Sequence, residues 1–159
     1  MGHIFQGQPE LPGNRPLTMV SLSTPQTISA NTQTAVAFNT VEYDNFSAYN
    51  TGTEVYTAPW GGLYRVSATL LLSNVPTAAV TPAVLEVIIQ AAGGAVAIGE
   101  LSENQSAGVA YINTVSVDIL TVLTAGQSLS VRAFISPAGT CTVAASGIST
   151  NFRIEYLQP

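Results

Sequence analysis

The chain has 159 residues, with 4 Lys-plus-Arg against 9 Asp-plus-Glu side chains and a formal net charge of −5. That length suits one domain with a sizeable core. The negative balance argues against a nucleic-acid groove, which needs clustered Lys and Arg, and against an electrostatic membrane anchor.

Residues 1–24, MGHIFQGQPELPGNRPLTMVSLST, are expected to form an extended arm. Pro9, Pro12 and Pro16, with Gly2, Gly7 and Gly13, forbid regular helix and interrupt strand pairing. Such a segment cannot hold itself in place, so the expectation is that it docks on another chain. Ile4, Phe5, Leu11 and Leu17 are the expected anchors, and Arg15 can pair with a partner carboxylate. The alternative is an arm folded back on its own domain. No N-terminal stretch joins a basic start to an apolar core, so no secretory signal is expected.

Residues 25–159 read as β throughout. Thr27 to Phe38 alternates weakly, with Ala35, Val36 and Phe38 entering the core. Glu42 to Tyr49 is polar and aromatic, and Val55 to Ala58 is a short strand ending at Pro59. Trp60-Gly61-Gly62 is a turn, because glycine tolerates the positive φ of such corners. Leu63 to Leu72 is the clearest strand: Tyr64, Val66, Ala68, Leu70 and Leu72 share one face, Arg65, Ser67 and Thr69 the other. Leu85, Val87 and Ile89 face in while Glu86 and Gln90 face out. A turn at Gly93-Gly94 leads to Ala95–Leu101, so this most apolar stretch reads as two strands rather than a membrane span. Tyr111 to Ile119 alternates again. In the next strand Leu129, Val131, Ala133 and Ile135 face in, and Phe134 faces out, where an aromatic fits a subunit interface. Asn151 to Leu157 closes the fold. Short strands separated by turn signals every ten or so residues indicate a β-sandwich or barrel.

One stretch organises the rest. Between Phe38 and Ala68, Phe38 is followed by Asp44, Tyr49, Tyr56, Gly62 and Tyr64 at fixed intervals. This order and spacing resembles the signature of the C1q globular head, a branch of the tumour-necrosis-factor-like jelly rolls. Tyr56 stands where that signature has Phe, and Val66 and Ala68 depart from its aromatic preference. Leu123–Leu129 also resembles the tight turn of C1q-like domains. The resemblance covers about residues 25–159. It implies an all-β jelly-roll sandwich of roughly ten strands and a compact homotrimer.

Chemistry is sparse. The single His is His3, in the arm, where it cannot complete a triad or a metal centre. There is no lysine for a P-loop or a Schiff base, and Gly61-Gly62 and Gly93-Gly94 lack a nucleotide-binding context. Cys141 is alone, so no internal disulfide forms, and a buried or idle thiol is favoured over an interchain bridge. Glu42 with Asp44, or Glu100 with Glu103, could hold calcium weakly, as the family often does near its trimer apex; solvated carboxylates are favoured. No enzyme activity, metal or cofactor is expected.

Only 8% of residues are charged, against about 25% in ordinary soluble domains. Such a surface suits burial against partners, or a neutral Thr-rich β protein. The arm, the small domain and the low charge together lead to the expectation of a structural virion protein. It would be a trimeric decoration or cement protein on the outer surface of a bacteriophage capsid, its arm clamping the major capsid protein. The alternatives are a trimeric recognition module at a phage tail or fibre tip, and a cellular C1q-like binding protein.

Overall fold

A computed structural model describes residues 15–75, 83–103, 111–136 and 139–159. In chain order the strands are β1 (Leu17–Ser21), β2 (Gln26–Ser29), β3 (Thr34–Ala35), β4 (Thr40–Asp44), β5 (Tyr49–Asn50), β6 (Val55–Thr57), β7 (Gly62–Val75), β8 (Ala83–Ala91), β9 (Gly94–Glu103), β10 (Tyr111–Leu123), β11 (Ser128–Ser136), β12 (Thr140–Val143) and β13 (Asn151–Gln158). They form two antiparallel sheets. The first runs β2-β12-β7-β13-β1-β4, with β10 along the free side of β7; the second runs β5-β6-β11-β8-β9, with β3 beside β11.

Alternation along the long strands builds the core between the sheets. On β7 the side chains of Tyr64, Val66, Ala68, Leu70 and Leu72 are wholly buried. They meet Leu85, Val87 and Ile89 of β8 and Leu129, Val131, Ala133 and Ile135 of β11 in one cluster. Each large aliphatic side chain removed from water there contributes about 1.5–3 kcal/mol before entropy is counted. An aromatic seam closes one end: Phe46, Trp60, Tyr156 and Tyr64 meet edge to face at centroid distances of 5.0, 5.2 and 5.2 Å.

Three features depart from the sequence reading. First, residues 17–21, within the stretch expected to be an arm, belong to the domain. Leu17–Ser21 is a strand inserted between β13 and β4, with Leu17 opposite Glu155 and Ser21 opposite Asn151. Pro16 is the last residue of the segment that blocks pairing; beyond it Thr18 and Val20 turn inward and are buried. Second, residues 27–38 do not form one alternating strand. Asn31 takes φ 59°, and the chain turns there between β2 and β3. Third, β12, which follows Gly139 at φ 95°, is a short strand that the sequence reading did not place; it pairs β2 with β7 and carries the buried Cys141. Burial pushes the Cys141 thiol up to about 12.

Candidate interaction face

The outer face of the first sheet concentrates exposed apolar side chains at two edges. On β10, Ile112, Leu120 and Val122 are 71%, 64% and 72% exposed. At the opposite edge, on β4, Tyr43, paired with Met19, is about half exposed on this face, and past a bulge Val41, paired with the core residue Val20, is about half exposed on the inner side of the edge. These residues lie on one sheet because β7 pairs with β10 on one side while β13, β1 and β4 follow in order on the other.

Between the two edges lies a cluster of charge. Arg65 of β7 holds Asp118 of β10 with a fork: its Nε donates to both carboxylate oxygens at 3.1 Å and its Nη2 donates to Oδ2. On β13, Arg153 Nη2 lies 3.3 Å from Glu155 Oε2. The register makes the pairs adjacent: Glu155 is opposite Arg65, and Ser67 stands opposite both Arg153 and Asp118. The four formal charges cancel. Hydrogen bonding from Arg65 holds the Asp118 carboxyl below the usual carboxylate range, and the same bond raises Arg65. An open depression of about 650 Å³ beside the cluster is bounded by Arg65, Asp118, Ile119, Leu120, Glu155 and Leu157. Among the described residues this cluster sets no hydroxyl or thiol beside a free base; the face offers apolar area around a neutral polar centre, which is the make-up of a protein contact surface.

The signature residues serve the interior. Phe38, Tyr56 and Tyr64 are fully buried, and Tyr49 nearly so. The Tyr64 hydroxyl donates to the Trp60 carbonyl at 2.8 Å. Asp44 fastens three strands: Oδ1 accepts from Thr18 Oγ1 at 3.0 Å and Oδ2 from the Tyr49 amide at 2.8 Å. Glu42 instead accepts from Ser21 Oγ at 2.6 Å, so the two acids do separate structural work. Among the described residues no three His, Cys, Asp or Glu side chains converge as a metal site. Gly62 takes φ +150°, and a Cβ there would strike the Gln158 carbonyl oxygen.

Two proposed arm anchors bind their own domain. Arg15 Nη1 donates to the Leu157 carbonyl at 2.8 Å, and the Arg15 carbonyl accepts from Asn45 Nδ2 at 2.8 Å. The Leu17 amide donates to Asn45 Oδ1 at 2.9 Å as β1 begins. Both are therefore part of the sheet's edge-binding rather than free anchors. Ile4, Phe5 and Leu11 lie outside the described residues. Phe134 is half-buried on the outer face of the second sheet, opposite Glu86, and so is absent from the face described above. Sequence reasoning missed Leu120 and Val122. Carrying the alternation of Tyr111–Ile119 on to Leu123 puts both on the polar side, with Thr114, Ser116 and Asp118, and an aliphatic pair on a polar side was the available signal.

No protein-family model matches the sequence, and no curated protein matches it. Solved structures do. Murine APRIL at pH 5.0 superposes with a TM-score of 0.63 at 13% identity, covering 90% of this chain and 99% of that one. Eiger TNF from S. frugiperda gives 0.64 at 13% identity, covering 90% and 92%. The globular domain of zebrafish complement 1qA protein gives 0.57 at 16% identity, covering 91% and 99%. At such identities the likeness speaks for the fold alone, and with the two-sheet topology it establishes a C1q/TNF-like jelly-roll sandwich.

Proposed function

We propose that this chain forms a homotrimer through the outer face of its first sheet, and that the trimer serves as a structural virion protein decorating the outside of a bacteriophage capsid. The observation that carries the oligomer is the pair of unlike apolar edges on one sheet. Leu120 and Val122 at the β10 edge are not the same patch as Tyr43 at the β4 edge. Unlike patches on one subunit suit a heterologous contact, edge of one copy on face of the next, which closes into a ring. The resemblance in Phe38–Tyr64 supplies the order of the ring, three. The virion role is supported by the charge-poor composition and by the Pro/Gly-rich stretch before Arg15, a segment suited to lying along another protein. Three such segments on one trimer act at high effective concentration.

Sedimentation tests the ring. At the dilute end of a concentration series the full chain is expected to hold together as a trimer, while Leu120→Asp sediments as a folded species below the trimer mass; a wild-type chain that forms no trimer would refute the contact. Copy number in purified particles, by quantitative mass spectrometry against the major shell protein, tests the role. Copies in the hundreds support decoration. A handful places the protein on a tail or fibre and favours host recognition, and absence from particles removes the virion reading.

A further inference from the structure

The second sheet has an outer face of its own, whose side chains follow from the strand register. Arg132 of β11 stands opposite Ile88 of β8, which stands opposite Ile98 of β9. Two residues along, Phe134 stands opposite Glu86, which stands opposite Glu100. Ile88 points away from the core residues Val87 and Ile89 yet has no exposed surface, so the middle of this face is already dry. Beside it, Ile98 and Val96 remain 51% and 38% exposed.

The pattern has a direction. Phe134, Ile88 and Val96, the last in the bulge of β9, fall on one diagonal across β11, β8 and β9. Arg132 lies on one side of that diagonal; Glu86 and Glu100 lie on the other. Among the described residues none of these charges has an ion-pair partner. Glu86 and Glu100 are like charges directly opposite each other, an arrangement that destabilises a sheet. Among the described residues the ion pairs are Arg65–Asp118 and Arg153–Glu155, so neither acid has one. Arg132 makes one long hydrogen bond, 3.3 Å from Nη1 to the Gln33 carbonyl, and its buried Nε has no partner.

A two-fold axis exchanges equivalent positions: if residue i of one copy meets residue j of the other, j also meets i. Laid along the apolar diagonal, such an axis sets the half-buried Phe134 and the exposed Val96 against their counterparts on either side of the buried Ile88, and carries each arginine across to the acid pair. We infer that the outer face of the second sheet is a self-complementary contact for a second copy of this chain, with Arg132 of each copy meeting Glu86 and Glu100 of the other. The contact is independent of the ring on the first sheet, and joins one ring to the next where both form. Burial and Glu100 push the Glu86 carboxyl up in the isolated chain, and an arriving guanidinium reverses that push.

The test is sedimentation velocity on the full chain over a concentration series, repeated in a Leu120→Asp background that removes the first-sheet contact. In that background a reversible monomer–dimer equilibrium is expected. Arg132→Glu and Glu100→Arg are each expected to weaken it about tenfold or more. An equimolar mixture of the two recovers much of it, because one crossing then keeps Arg132 against two acids and the other regains one acid–arginine pair. Ile98→Lys, at an exposed position that tolerates charge in the monomer, abolishes it. Should Arg132→Glu lose its β-sheet circular dichroism, Glu100→Arg and Ile98→Lys carry the test. No self-association in the Leu120→Asp background, association unmoved by the charge variants, or a mixture that fails to recover overturns the contact and leaves the face for a basic, apolar segment of another protein. The ring stands or falls separately, on the mass of the wild type against Leu120→Asp.

Discussion

Two tyrosines of the same core treat their hydroxyls differently. Tyr64 donates to the Trp60 carbonyl at 2.8 Å, while the hydroxyl of Tyr49 is buried with no partner and its pKa is driven upward by desolvation, then by Glu54. Removing a made bond costs stability, whereas removing an unmade one relieves a desolvation penalty. Tyr64→Phe is therefore expected to lose about 1 kcal/mol and Tyr49→Phe to be neutral or gain up to about 1 kcal/mol in urea unfolding. Glu86 gives a prediction with a pH sign. Burial, then Glu100, raises its carboxyl, so the folded state binds that proton more tightly than the unfolded state. Its contribution to stability is present below the ordinary carboxylate range and is lost as pH rises through the raised folded value. Glu86→Gln is thus expected to be more stable than wild type at neutral pH by about half a kcal/mol, since the site is partly open to water. In melts of dilute protein the difference should vanish as pH falls below the ordinary carboxylate range; a difference that grows on acidification contradicts the assigned sign.

At the scale of elements, the sandwich is pinched where β9 passes β10. A Cβ on Gly99 would strike the Ser116 backbone carbonyl and crowd the Val87 side chain. A backbone atom cannot swing aside, so Gly99→Ala must part the two strands, and is expected to cost about 1–3 kcal/mol. Alanine at Gly93, where nothing lies within 4 Å, is the control for the change of residue type. Equal melting temperatures for the two variants would mean the strands do not approach as described. The long strands were legible in the sequence because each buries one face: Tyr64–Leu72 and Leu129–Ile135 announce themselves by period two. So did the aromatic spacing, since Phe38, Tyr49, Tyr56 and Tyr64 meet in one core. What stayed hidden depends on partners distant along the chain. Nothing in LTMVS says that it lies between β13 and β4, and its neighbour Pro16 argued the other way. Arg65, Asp118, Arg153 and Glu155 are scattered over three strands, and only the register of β7 with β10 and β13 gathers them.

For the whole molecule, the decisive boundary is where the extension stops and the domain starts. The described chain begins at Arg15, whose side chain is tied to the Leu157 carbonyl, and the Pro16 carbonyl accepts from the Tyr156 amide at 2.9 Å. From there β1 runs through the first sheet with a ladder on each side, and Val20 and Leu22 enter the core. Residues 15–24 are therefore held by the domain's own sheet. If, as proposed, residues 1–14 serve attachment to another protein, the chain truncated before Arg15 should melt with the wild type and keep its oligomeric mass. Removing 1–24 withdraws a strand from the middle of a sheet, strips β4 of its neighbour and exposes the flank of β13. A loss of several buried side chains at about 1.5–3 kcal/mol each is comparable with the whole stability of a domain this size, so that chain should not fold. The first truncation also separates fold from role. If residues 1–14 fasten the trimer to a capsid, the shortened trimer stays intact in solution and no longer co-sediments with particles stripped of the wild-type protein. Undiminished co-sedimentation would transfer the attachment to the jelly roll itself, and a fall in melting temperature would show that residues 1–14 belong to the domain.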